Sequence, residues 1–233
     1  MPIEARDSGT DKTVQDVWVR DGSVDKAVQE VIINDSGTDK TVFTALTTTV
    51  LDNFEDGDVT DWNTEIGTNV FDAVSNSNTV SDTYSGRLRA DDDFSRVSLN
   101  IGNSITPKVL SFKIRPFYNG FSNDATTFWI ESSNTVQIMR IEFTGDGVIK
   151  GFDGATNAPV NVGTFSDGEI IAVDFNNIDF TNENYDLIIE NSNKGTFDFT
   201  SSDNDILIFK YFLGTFNSGA LHSSFLDDLE AQS

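Results

Sequence analysis

Acidic side chains near the two ends of the longer part of the chain are the first candidates for chemistry. Glu55 and Asp58, with Asp56 between them, belong to Leu51-Asp-Asn-Phe-Glu-Asp-Gly-Asp-Val-Thr-Asp-Trp62, and Asp227 and Asp228 stand together in Ser224-Phe-Leu-Asp-Asp-Leu-Glu230. Hard oxygen donors of this kind suit Ca²⁺, which takes six to eight oxygens. Adjacent acids on one strand repel unless water or a cation bridges them, so a bound calcium would pin the two ends of the fold together. The competing reading is that these are ordinary loop acids in a chain with 38 Asp+Glu. Spacing does not define such a site as it defines an EF-hand, and Asp91-Asp-Asp93 reads as a solvated turn. A second kind of candidate is aromatic. Trp129 and Tyr118, and more weakly Tyr211, offer a flat ring with a polar edge that can meet the C–H face of a pyranose. Burial in a core is the competing reading for each, and for Trp129 it is the commoner outcome.

Signatures of catalysis are sparse. His222 is the sole histidine, which excludes a multi-histidine zinc site and leaves any Ser-His-Asp triad dependent on one residue in a Gly-Ala-Leu-His-Ser-Ser loop. No Gly-x-Ser-x-Gly elbow occurs, and Gly145-Asp-Gly147 and Gly151-Phe-Asp-Gly154 fit hairpin turns better than phosphate loops. Glycoside hydrolysis needs two carboxylates about 5–10 Å apart, which almost any acidic β protein could offer. The chain is therefore expected to be non-enzymatic.

The elements that must position these residues are strands. Leu110-Ser-Phe-Lys-Ile-Arg and Val136-Gln-Ile-Met-Arg-Ile-Glu-Phe alternate with period two. Similar β-rich runs fall at 69–74, 86–90, 96–101, 109–115, 127–131, 136–144, 148–152, 170–175, 185–190, 195–199, 206–213 and 224–229, separated by Gly, Asn, Asp and Ser. This spacing predicts an all-β, antiparallel sandwich over 51–233. Its core takes most of the 19 Phe, which have no polar tip to offer a ligand.

Residues 1–50 are different. A phrase of 14 residues recurs three times, beginning Asp7-Ser-Gly-Thr-Asp-Lys, Asp21-Gly-Ser-Val-Asp-Lys and Asp35-Ser-Gly-Thr-Asp-Lys. Each copy reads as a turn followed by an alternating strand, so the three predict a small β-meander. Such a ribbon buries too little surface to stand alone. Val17, Trp18, Val19, Val31, Ile32 and Ile33 are thus expected to dock it on a partner or on sister copies.

A net charge of −23 excludes nucleic acid and anionic membranes as partners, because no basic face is available. Acids dispersed over the chain instead suit solubility in concentrated salt and a halophilic source. There is no cysteine for a disulfide or thiolate site. Neither an apolar membrane span nor a Sec-type leader is visible, so the chain is expected to be made in the cytoplasm without insertion into a membrane.

The opening Phe-Glu-x-Gly-x…Trp segment, with Tyr84-Ser-Gly-Arg-Leu-Arg89, Leu110-Ser-Phe-Lys-Ile-Arg-Pro116 and the closing Asp-Asp strand, resembles concanavalin A-like (laminin-G-like) and carbohydrate-binding-module jelly rolls. That resemblance implies a jelly roll and a structural calcium. The Glu-x-Asp-x-Glu strand of the related glucanases is missing. The 14-residue phrase is similar to repeats in structural proteins of tailed phages and haloarchaeal tailed viruses, although Asp-Lys replaces the aromatic that usually follows the turn. Together these resemblances imply a non-enzymatic virion surface protein, a tail fibre, baseplate or capsid spike. It would form homo-oligomers, contact other virion proteins, and bind a host glycan or glycoprotein through the jelly roll. The alternatives are a purely architectural virion component, or a carbohydrate-binding module or polysaccharide-degrading enzyme.

Overall fold

Alternating β-branched and aromatic residues between turn-forming clusters give a chain with no helix among its described residues. The computed structural model describes residues 18–21, 24–27, 30–35, 38–44, 46–67, 71–75, 80–81, 83–90, 94–118, 125–156, 158–214 and 222–233. The chain divides into two compact units, Met1–Thr47 and Thr48–Ser233.

In the first unit β1 (Trp18–Asp21) pairs antiparallel with β2 (Val24–Ala27), and β3 (Glu30–Asp35) with β4 (Thr38–Thr44). In each pair the strands are separated by two residues in sequence, between Asp21 and Val24 and between Asp35 and Thr38. These are two separate two-stranded ribbons. Of the residues expected to dock, Trp18 and Val19 lie on β1 and Val31, Ile32 and Ile33 on β3, while Val17 lies outside the described residues.

The second unit is an antiparallel sandwich. Its strands are β5 (Thr48–Asp52), β6 (Trp62–Ile66), β7 (Phe71–Val74), β8 (Ser85–Ala90), β9 (Phe94–Ile105), β10 (Val109–Phe117), β11 (Ala125–Glu131), β12 (Gln137–Thr144), β13 (Val148–Asp153), β14 (Ala158–Thr164), β15 (Ile171–Asp179), β16 (Asn184–Ile189), β17 (Ser192–Asp198), β18 (Ile206–Gly214) and β19 (His222–Gln232). One sheet runs β17-β16-β15-β10-β19-β8-β7, with β5 also paired to β19, and the other runs β14-β13-β12-β11-β18-β9-β6. β7-β8, β11 to β14 and β15 to β17 each run on within one layer, and the chain crosses between the two layers at all the remaining steps of the second unit.

Period-two alternation is what joins the layers. On β10, Leu110, Phe112 and Ile114 are buried while Ser111, Lys113 and Arg115 point the other way. The Phe112 ring meets Phe128 of the opposite sheet at 4.3 Å between centroids, and Phe128 continues to Phe209 at 6.2 Å. Phenylalanine suits this interior, since edge and tilted ring packing adds to the area it buries.

The strand β19 departs from simple alternation. Ser224 and Leu226 are buried, as are Leu229 and Ala231, so the inward set shifts phase between Leu226 and Leu229. Asp228 takes a left-handed backbone, φ 50°, and pairing slips beside it on both flanking strands, between Ser111 and Lys113 of β10 and between Leu229 and Glu230 of β19 facing β5. A β-bulge of this kind turns an extra residue sideways. Here the step falls at Asp228 and Leu229, which together oppose Phe112, and Asp227 just before it is fully buried.

Candidate functional site

The outer face of the seven-stranded sheet is where polar and aromatic side chains converge. Pairing registers set up one cross-strand row of Asn63 (β6), Ser98 (β9), Lys210 (β18), Trp129 (β11) and Arg140 (β12). Glu131 follows two residues after Trp129 and so shares its face. Glu65 stands two residues after Asn63 on the edge strand.

Charge organises this row. Lys210 Nζ lies 3.0 Å from Glu131 Oε1 and 3.6 Å from Glu65 Oε1. The Trp129 indole Nε1–H donates to Glu131 Oε1 at 3.0 Å, and Arg96 Nε stands 2.5 Å from Glu65 Oε2. Glu131 is only 7% exposed, so this carboxylate is desolvated yet supplied with two donors, which is the condition for keeping a buried charge. Both glutamates therefore flank one ammonium. They line a cavity of about 500 Å³ with Asp61, Asn63, Asn100, Thr135 and Lys210.

Beside the cavity runs an aromatic strip. Trp129 is half-buried, with its ring 6.0 Å from Phe212, and Phe212 lies 5.8 Å from Phe94, which is 48% exposed. The Arg96 guanidinium carbon lies 5.9 Å from the Trp129 ring centroid. Further along the sheet Arg140 and Lys150 pair with Glu142, and Arg140 stacks 4.0 Å over Phe152. An apolar strip leading to a carboxylate pair is able to seat a sugar ring by stacking and hold its oxygens by hydrogen bonding.

Of the three aromatics expected to stack on sugar, only Trp129 reaches this face. Tyr118 and Tyr211 are corrected to core residues, 2% and 0% exposed, with no ring face turned outward. Their polar tips misdirect the reading, because Tyr118 uses its hydroxyl internally: it donates to the Phe143 carbonyl at 2.5 Å and accepts from Thr126 N–H at 2.8 Å. Glu65, Glu131 and Lys210 were not among the expected site residues. The Trp129-x-Glu131 spacing is the one local signal that pointed to them.

The four carboxylates considered for calcium have protein donors instead. Glu55 Oε1 accepts from Thr83 and Tyr84 N–H, both at 2.9 Å, and exposed Asp58 accepts from Thr60 N–H. Asp227 Oδ2 accepts from Ser81 Oγ, Ser85 Oγ and Ser81 N–H at 2.8, 2.9 and 3.1 Å, while its Oδ1 accepts from Asp228 N–H. Asp228 Oδ2 is 2.7 Å from Lys113 Nζ. Among the described residues no group of three or more Asp, Glu or His side chains is placed to hold a metal ion. The repulsion between Asp227 and Asp228 is relieved by serine hydroxyls and an ammonium.

Burial makes three carboxyls, those of Asp227, Asp52 and Asp174, resist ionisation. Asp227 is pushed above the usual carboxylate range by burial, against the pull of Ser81 and Ser85; Asp52 and Asp174 are raised by burial too, Asp174 also by the charge of Glu190. A raised acid holds its proton more tightly in the folded state, so its stabilising contribution is full below the unfolded value near 3.8 and is lost as pH rises through the folded value. Exposed Asp58, Asp179 and Asp203 are lowered by hydrogen bonds and act in the opposite sense, only as pH falls below 3.8. The thermal midpoint is expected to climb as pH is brought down from neutrality toward about 4. Scans in molar salt, where surface repulsion is screened, isolate this effect from that of the net charge.

No protein-family model and no curated protein matches the sequence. Solved structures do match the fold. A sialidase superposes with a TM-score of 0.62 at 15% identity over 81% of this chain, which spans 18% of that protein's length. A Bacillus licheniformis β-glucanase gives 0.51 at 14% identity, covering 80% of this chain and 97% of its own. A glycoside hydrolase family 16 endo-glucanase from Bacteroides ovatus gives 0.53 at 13% identity, covering 81% and 94%. These likenesses correct the expectation of a non-enzymatic chain, since the sandwich is one on which glycan-cleaving proteins are built and the missing Glu-x-Asp-x-Glu strand does not exclude catalysis. Residues 48–233 adopt the jelly-roll β-sandwich fold that these solved structures share.

Proposed function

We propose that residues 48–233 form a carbohydrate-active domain that lays a glycan over the outer face of the seven-stranded sheet and cleaves it between Glu131 and Glu65. The observation that carries this is the pair of glutamates flanking Lys210 beside Trp129 in a cavity of about 500 Å³. Glycosidic cleavage calls for two carboxyl groups on opposite sides of the scissile bond, one to attack the anomeric carbon or activate water and one to exchange a proton with the glycosidic oxygen. Glu131, fixed by the indole N–H and the ammonium, suits the first role. Glu65, on an edge strand and nearer solvent, suits the second. Trp129 and the adjoining Phe212 and Phe94 orient the sugar ring, and Lys210 sets the spacing of the pair before substrate arrives.

The finer reading places this domain at a virion surface, with the hairpins of residues 18–44 as the attachment and a host-surface glycan as the substrate. Its support is the 14-residue repeat and the division of the chain into two units. The full chain, incubated in molar salt with mixed-linkage β-glucan, glucuronan and mucin-type glycoprotein, is expected to release new chain ends from at least one. Binding without release from a substrate would remove the catalytic part of the reading; no binding to any would remove the whole.

A further inference from the structure

A second cavity adjoins the first. It has a volume of about 410 Å³ and is lined by Val50, Leu51, Asp61, Leu99, Asn100, Ile101 and Gly102. Asp61 and Asn100 line both cavities, so the two meet at the edge of the seven-stranded sheet, where β6 is the outermost strand. The chemistry changes across that edge. The glutamate-lined cavity is charged, whereas the second has Val50, 51% exposed, with Leu51 and Ile101 packed against the core behind it.

We infer that the second cavity is a further subsite of the same cleft, which takes additional sugar units of one glycan chain, so that the substrate is a polymer gripped along its length rather than at a terminal sugar. This rests on the carbohydrate reading of the neighbouring site. Each cavity alone has the size of a small-molecule site, and joined they match an extended ligand. Apolar side chains flanked by a carboxylate and an amide suit a sugar, whose C–H face packs on Val50 and Ile101 while its hydroxyls meet Asp61 and Asn100. A terminal-sugar site needs a closed end, and this cleft continues past Asp61 instead.

The test uses a trisaccharide and an octasaccharide prepared from a polysaccharide that the full chain binds. The octasaccharide is expected to bind roughly tenfold more tightly or better, the gain from units lying beyond Asp61. In Val50→Trp, a β-compatible change at an exposed strand position that fills the second cavity, the ratio of the two affinities is expected to fall close to one. Gly102→Asn serves as a second obstruction. Gly102 has φ 78° with open space where a side chain would begin, and asparagine accepts that backbone better than other residues do. A thermal scan of each variant shows that it is folded. Equal binding of the two lengths by the native chain, or an unchanged ratio in both folded variants, would overturn the subsite and leave the glutamate site standing. Failure to bind any glycan would overturn both.

Discussion

Replacing Glu131 by glutamine is expected to lower turnover by roughly 10²–10⁴-fold, the range found when one proton-transferring group is removed, with the Michaelis constant little changed. Glutamine keeps the size of the side chain and a carbonyl oxygen to accept from the Trp129 indole, so the half-buried row of Asn63, Ser98, Lys210 and Trp129 retains its packing. What is lost is the charge opposite Lys210 and with it the ability to attack or to accept a proton. Glu142→Gln is the matched control. Glu142 lies on the same sheet, pairs with Arg140 and Lys150, and does not line the cavity. Initial rates on whichever polysaccharide is cleaved, with thermal scans on both variants, decide the matter. Full turnover in Glu131→Gln would remove this residue from the chemistry.

The largest loss of stability is expected from Asp227→Ala. This carboxylate is fully buried and gathers donors from Ser81, Ser85 and Asp228, so removing it strands several polar groups inside the fold at once. Each buried donor left without its acceptor costs about 1–3 kcal/mol. In a domain of this size each kcal/mol lowers the thermal midpoint by roughly 2–4 °C. Asp227→Asn keeps two acceptor sites on its carbonyl and is expected to lose less. Ser85→Ala removes one donor to Asp227 and the acceptor of Val80 N–H, and is expected to lose less than Asp227→Ala. A drop below about 1 kcal/mol for Asp227→Ala in denaturant titration would mean that water takes over the serines, and the network would then be dispensable.

The strands with a clean two-residue period were legible from the sequence: β10, with Leu110, Phe112 and Ile114 inward, and β12, with Ile141 and Phe143 inward, lie where alternation places them. β5, β6 and β14 were missed for one physical reason. They lie at sheet margins or in a Thr-rich connector, so fewer of their side chains are buried and the alternation fades; β14 even carries Pro159, which an edge position tolerates. The site was less legible than the fold. Lys210 meets Trp129 only because β11 and β18 are neighbours in register, and Glu65 joins them from a strand more than sixty residues upstream of Glu131. Nothing local encodes that pairing. Acids drew attention where they were adjacent in sequence, at Asp227-Asp228, and there buried serines hold the first while Lys113 pairs with the second.

The position of β19 has a consequence for how the domain is made. Residues 222–232 occupy the middle of their sheet, with β10 on one side and first β8, then β5, on the other. On the ribosome, β5, β8 and β10 therefore emerge with their shared neighbour still unsynthesised, and their inward phenylalanines and leucines have no complete layer to join until residue 232 is free. The domain must assemble once residue 232 has emerged, through contacts far apart in sequence, which is the slow regime of folding. During that interval the dispersed carboxylates act as an internal solubiliser, since nascent chains carrying the same strong negative charge repel one another before their strand edges can pair.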